Sequence, residues 1–322
     1  MEQTFPANHN DMSLSVVIPV YKAEQNLPFL INSLTSTLKS LKYNYEVILV
    51  NDGSPDRSWP VIRDLAGQYP EVRGINLMRN YGQHNALLCG IRAAINPVII
   101  TMDDDGEHPP DQIPLLIAAL SEDCDVVYGA PAQLQHGLLR NLASLITKFV
   151  LQSSMGADVA TKISAFRAFR TELRDAFTVH QGPYINLDVL LTWGTTRFVA
   201  VTVRHDQRRV GQSNYTVMKL ITHAFNMLTG YSSRPLQVAS IIGFTFTLFG
   251  IGIFLFVIGR YLIEGGSVPG FPFLASIVAI FSGVQLFALG VIGEYLSRMH
   301  FRLMDRPTYI VREQIKTERQ DR

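Results

Sequence analysis

The chain has 322 residues, 47% hydrophobic and 17% charged, with a formal net charge of +1. That near-neutral balance gives no support to a nucleic-acid binder, which usually shows a basic face or stripe. Two cysteines, Cys89 and Cys124, sit in no metal or redox spacing, which excludes a disulfide scaffold and fits a reduced, cytosolic folded part.

The opening residues, MEQTFPANHND, hold no basic segment followed by an apolar core. A signal peptide is therefore not expected, and the N-terminus is expected to stay in the cytoplasm. LSVVIPVY (14–21) is a short apolar, β-rich run, and a helix is predicted from about Ala23. YEVILVND (45–52) is a second strand that ends in a turn-prone GSPD, with Asp56 placed to cap a helix from Arg57 to Tyr69. VRGINLM (72–78) is a third strand, and Gln83 to Ala94 is helical. PVIITMDDD (97–105) is a fourth strand ending in three carboxylates; a helix follows from Ile113 to Ser121, then a fifth strand, CDVVYGA (124–130). This alternation predicts an α/β fold with a mostly parallel, doubly wound sheet. Ligands of such sheets sit beyond the carboxyl ends of the strands, which is where Asp52 and Asp103–Asp105 fall.

LLRNLASLITKFVL (138–151) has apolar residues at helical spacing, and YTVMKLITHAFNMLTGY (215–231) is a second amphipathic stretch. The first fits a core helix and an interfacial helix equally; the second abuts an apolar span and is expected to lie in a membrane interface. From Pro235 to Ile263 the only charge is Arg260, and FPFLASIVAIFSGVQLFALGVIG, from Phe271 to Gly293, has none. About 20 apolar residues suffice to cross a bilayer, so a transmembrane hairpin is expected around the Gly- and Pro-rich turn. Lys219 and Arg234 precede the pair and a basic segment from Arg298 follows it, which predicts both flanks on the cytoplasmic side. The expected division is a domain over 1–214, an interfacial helix over 215–234, the hairpin over 235–296 and a basic cytoplasmic tail over 297–322.

Three adjacent carboxylates at a buried strand end repel one another unless a cation neutralises them. Asp103 and Asp105 are two apart and point the same way on an extended backbone. Hard oxygen ligands at that spacing suit Mg²⁺ or Mn²⁺, completed by substrate phosphates. A solvated acidic turn is the plainer alternative. Asp52, in VNDGS, either caps its own turn or bonds a nucleoside.

VVIPVY, VNDGSPD, LMRNYGQHNALLCGI and MDDDGEHPPD stand in the order seen in inverting GT-A glycosyltransferases of family 2. With RRVGQSNYTVMKL and the terminal hairpin, the chain resembles the polyisoprenyl-phosphate branch of that family over nearly its whole length. The resemblance implies a Rossmann-like GT-A domain with a two-helix membrane anchor. It implies inverting transfer of a sugar from a nucleotide sugar, UDP-linked by preference, to undecaprenyl phosphate with Mg²⁺ or Mn²⁺. Carried over residue by residue, Pro19 and Tyr21 line the nucleobase pocket and Asp52 contacts the nucleoside. Asp103 and Asp105 hold the metal and the donor pyrophosphate, and Arg208 meets phosphate. A multi-pass protein of the inner membrane is implied, homo-oligomeric and by analogy a tetramer. Two positions depart from the family. Asn214 stands where Lys is usual, and in MGADVATKISAFRAFR the Asp that relatives carry shortly before FRAFR is missing: Asp158 lies too far upstream, and the nearer positions hold Thr161, Ser164 and Ala165. A catalytically silent scaffold with the same fold is the alternative. A phosphate acceptor softens the second departure, because its second pKa of about 6 leaves it largely ionised without a strong base.

Overall fold

A computed structural model describes residues 12–131, 162–177, 185–206, 234–264, 270–304 and 306–315. The amphipathic stretches at 138–151 and 215–231 lie outside these residues, as do Asp158, Thr161, Arg208 and Asn214. The chain divides into two compact units, Met1–Leu220 with Arg306–Arg322, and Ile221–Asp305.

The first unit is an eight-stranded sheet with helices. β1 (Ser13–Val20), α1 (Leu27–Ser40), β2 (Asn44–Asn51), α2 (Ser58–Gln68), β3 (Val72–Leu77), α3 (Gln83–Ala93) and β4 (Val98–Thr101) alternate as expected. They are followed by α4 (Ile113–Ala119), β5 (Val126–Pro131), β6 (Arg167–Arg170), α5 (Leu187–Gly194) and β7 (Phe198–Val203). A last strand, β8 (Val311–Ile315), comes from beyond the apolar hairpin. The sheet order is β7-β5-β6-β4-β1-β2-β3-β8. β1 pairs parallel with β2 and β4, β2 with β3, and β5 with β7. β6 runs antiparallel between β4 and β5, and β8 runs antiparallel on β3. The fifth strand expected from CDVVYGA is therefore present but is separated from β4 by β6. Neither β6 nor β8 was expected.

Parallel strands covered on both faces read as unbroken apolar runs, and β1 is buried from Leu14 to Val20. Val17 O accepts from Met102 on the β4 side, while Val20 O accepts from Asp52 on the β2 side. Odd positions of β1 thus face β4. Pro19, with no N–H to give, falls past the last β1–β4 pair, Val17 with Thr101, where β4 has left the ladder. On α1 the buried residues Leu27, Leu30, Ile31, Leu34 and Leu38 form one helical stripe into the core. α3 lies close on the sheet at Gly90, where a Cβ would stand 2.4 Å from Val17 Cγ1 and 3.1 Å from Val50 Cγ2. Any larger residue there would push the helix off the strands, and with it the loop that enters α3.

The second unit holds two long helices, α6 (Arg234–Glu264) and α7 (Phe271–Leu303). Leu236–Ile263 and Ile280–His300 are long and apolar enough to cross a membrane. Their apolar side chains face outward: Phe244, Phe256 and Leu286 are each about two-thirds exposed. The helices meet where Phe281 packs edge-on to Phe246 at 5.8 Å and lies against Gly250. α7 runs past the apolar stretch to include Glu294 and Arg298, which pair one helical turn apart at 2.8 Å.

Candidate active site at the strand ends

β4 ends at Thr101, and the three carboxylates follow the buried Met102. The turn is closed from within. The Asp103 N–H donates to His108 Nδ1 (3.1 Å), and the Glu107 N–H donates to Asp105 Oδ1 (3.0 Å). His108 is buried, stacked on Phe166 at 5.2 Å and edge-on to His205 at 5.1 Å.

The three carboxylates do different work. Asp104 Oδ2 accepts the Tyr21 N–H at 2.9 Å and so ties the end of β1 to the end of β4. Asp103 Oδ1 accepts from Gln83 Nε2 at 2.7 Å, reaching the first residue of α3. Burial pushes the Asp103 carboxyl up to about 7, and the charges of Asp105 and Asp104 push in the same direction. Arg167 opposes them, and Glu107 adds to the repulsion. Asp105 is the largest of the charges acting on Asp103, as expected for carboxylates two residues apart at a strand end.

Arg167 is held by a buried network missed at the sequence level. Its Nη1 pairs with Asp188 Oδ1, which also accepts from the Tyr128 hydroxyl at 3.0 Å. Asp188 lies in the first turn of α5, whose N-cap Asn186 accepts the Val189 N–H at 3.1 Å. The Leu187 N–H donates to His84 Nδ1, joining the starts of α5 and α3. Just before β6, Ala165 O accepts from Thr101 Oγ1 at 2.7 Å, which places Ala165 beside the end of β4.

Asp52 is at the end of β2, 3% exposed. Its Oδ1 accepts the Tyr81 N–H (2.7 Å) and its Oδ2 the Gly82 N–H (2.8 Å). Burial raises this carboxyl, and those two bonds act against the rise. Gly53 follows at φ +60, where a Cβ would lie 2.4 Å from the Arg79 carbonyl carbon. Only glycine permits the loop to come this close. The structure thus shows Asp52 as the clamp of the loop 79–82. Each of its oxygens keeps a second lone pair for a further donor. Pro19 is buried near the end of β1, and Tyr21, just past that strand, is 43% exposed on the same rim.

Asp52, Asp103, Asp105, Pro19 and Tyr21 therefore come together along one rim, bridged by the loop into α3. Arg208 lies outside the described residues. Of its sequence neighbours, Arg204 is engaged with Asp111 and Asp206, each at 3.1 Å. Gln83, His108, Arg167 and Asp188 were not anticipated. Glu107 had a signal, since D-x-D-x-E repeats an acid at every second position. Among the described residues no set of three His, Cys, Asp or Glu side chains makes a complete metal centre. The donor set is two hard carboxylates crowded against each other, which fits a divalent ion that takes its remaining ligands from phosphate and water.

Residues 15–177, from β1 through β6, match the model of the family Glycosyl transferase family 2. The chain is a member of glycosyl transferase family 2. It is 34% identical over 314 residues to the undecaprenyl-phosphate 4-deoxy-4-formamido-L-arabinose transferase of Aeromonas hydrophila subsp. hydrophila, covering 96% of each chain. It is 33% identical over 307 residues to the protein of that name from Pectobacterium atrosepticum, with 94% of each covered. A solved structure described as a mycobacterial protein superposes with a TM-score of 0.51 at 18% identity, over 69% of this chain and 74% of that one. The last likeness concerns the fold alone. The family match spans both carboxylate turns and Arg167, and the two long helices lie beyond it in the chain.

Proposed function

We propose that this glycosyltransferase moves a sugar from a UDP-linked donor to undecaprenyl phosphate, with inversion, at the cytoplasmic face of the membrane. The observation that carries the proposal is the Asp103–Asp105 pair, crowded together and half-buried at a strand end in a chain that matches undecaprenyl-phosphate transferases along nearly its whole length. Asp103 and Asp105 would hold Mg²⁺ or Mn²⁺, which when bound supplies charge neutralisation for the departing nucleoside diphosphate.

The remaining roles belong to the chain itself. Gln83 orients the Asp103 carboxylate, and Asp104 holds Tyr21 so that its exposed ring and Pro19 border the nucleobase. Asp52 fixes the loop 79–82 against the donor and offers its free lone pairs to the nucleoside. Arg208 is assigned to phosphate. The acceptor phosphate, largely a dianion at neutral pH, attacks the anomeric carbon directly, so alignment matters more than a general base. This accounts for the absence of an Asp before Phe166. The hairpin anchors the chain in the membrane that carries the lipid acceptor, and oligomerisation through the outward apolar faces of α6 and α7 is part of the same proposal.

The deciding measurement is transfer of labelled sugar from a panel of UDP- and GDP-sugars to undecaprenyl phosphate in detergent, with Mg²⁺, Mn²⁺ or EDTA. A lipid-soluble product from one UDP-sugar, abolished by EDTA and inverted at the anomeric carbon, is the expected result. Retention of configuration would overturn the direct displacement. Absence of product from every donor, together with no Mn²⁺-dependent UDP binding, would leave a silent scaffold.

A further inference from the structure

β8 does more than close the sheet. Gly74 lies opposite Ile315, Ile75 opposite Gln314 and Asn76 opposite Glu313; the register then shifts, so that Leu77 meets Val311. An irregularity of this kind bends a strand and re-aims the chain leaving it. The chain leaving β3 is the loop from Met78 to Gly82. β8 holds the root of that loop twice. The Met78 N–H donates to Ile310 O (2.9 Å), and Arg312 Nη2 donates to Met78 O (3.1 Å). The shifted position is also tied sideways, because Asn76 Oδ1 accepts from the buried Asn51 Nδ2 at 2.8 Å, next to Asp52. Past its root the loop gives two N–H groups to Asp52, and Gln83 then reaches Asp103. β8 has an independent fastening. Glu313 accepts from Trp59 Nε1 and Arg63 Nη2 on α2, at 3.1 and 3.0 Å.

We propose that Arg312 is a positioning residue for the donor site: with the start of β8 it fixes the root of the loop 78–83, and through it the groups that Asp52 and Asp103 present to a nucleoside diphosphate. The strand doing this comes after the second long helix in the chain, so the segment that returns from the apolar hairpin helps build the donor site. The inference rests on the sugar-transfer proposal for its kinetic consequence but not for its structural one.

Its test uses the full-length protein in detergent with Arg312→Ala, Arg312→Lys and, as a control that loosens β8 away from the loop, Arg63→Ala. Loss of one charge-assisted hydrogen bond to a positioned carbonyl is expected to raise the KM for the donor about five- to tenfold. The acceptor KM should stay within about twofold, since the loop holds no group assigned to the phosphate acceptor. Lysine should restore most of the donor KM, and Arg63→Ala should leave it unchanged. Hydrogen exchange supplies a readout that needs no turnover: amides of residues 78–83 should exchange faster in Arg312→Ala while those of β1 and β2 keep their protection. Equal effects of Arg312→Ala and Arg63→Ala, or unchanged donor KM and loop exchange, would overturn the inference. Selective loop exchange in a protein that transfers no sugar would sustain it and sink the transferase proposal instead.

Discussion

Asp103 sets the pH behaviour of the site. Its carboxyl is pushed from an ordinary 3.8 to about 7, chiefly by burial and then by Asp105 and Asp104. Between those values the folded protein keeps a proton that the unfolded chain has released, so ionising Asp103 costs stability as pH rises from about 4 to 7. A divalent ion needs the carboxylate form, so binding below pH 7 must expel that proton. Mn²⁺ affinity, measured by calorimetry with UDP present, is expected to be roughly tenfold weaker at pH 6 than at pH 8. Proton release should be seen at pH 6 and should vanish at pH 8; pH-independent binding would contradict it. Asp103→Asn separates the two consequences. It should lower transfer by about a hundredfold or more, because charge neutralisation at the leaving group is worth several kcal/mol. It should also raise the metal-free melting temperature at pH 8, where the wild type carries the full repulsion. Gly53 is the complementary case. Gly53→Ala meets backbone at 2.4 Å and φ +60, and is expected to cost about 1–3 kcal/mol while loosening the loop on Asp52.

At the scale of elements, the strands buried on both faces were legible and the partnered ones were not. β1, β2 and β4 announce themselves as apolar runs whose carboxyl ends carry the acids, so the rim could be placed from the residue pattern alone. β6 reads RAFR, and two arginines in four residues give no strand signal. Arg167 is tolerable in the sheet only because Asp188 neutralises it from 21 positions away, a pairing that no local window contains. β8, VREQI, has exposed positions through its middle and owes its strand form to the free edge of β3. Asp52 was half legible. The turn preference of Asp-Gly-Ser was visible, but its two bonds go to residues 29 and 30 positions on. The Arg167–Asp188 pair carries its own prediction. With side chains 3% and 10% exposed, removing one partner leaves an uncompensated buried charge. Asp188→Ala should cost about 3–5 kcal/mol, read by chemical denaturation of the purified protein. An apolar replacement of both residues should recover much of that stability. It should not recover transfer, because the positive field that Arg167 places on Asp103 would still be missing.

For the whole molecule, β8 constrains how the chain meets the membrane. β3 and β8 belong to one unit, yet between them in sequence lie both helices that are long and apolar enough to cross. A chain that leaves a folded unit and returns to pair with its sheet must cross a bilayer an even number of times. Two candidate spans meet that condition with one crossing each, and a single crossing would strand β8 on the far side of the membrane from β3. The charges agree. Arg298, Arg302 and Arg306 cluster where the second span ends, while Arg260 alone lies toward the turn. Arg260 is close enough to the end of α6 for its long side chain to reach the interface. Both ends of the chain are therefore expected on the cytoplasmic side, with the turn between α6 and α7 opposite. Peptide tags at Met1 and Arg322 should resist protease in intact spheroplasts and be cut together in inverted membrane vesicles. If the tags behave oppositely, the number of crossings is odd and β8 cannot pair with β3 of its own chain. The sheet edge, the anchor and the placement of Arg312 beside the donor loop would then all need a different partner.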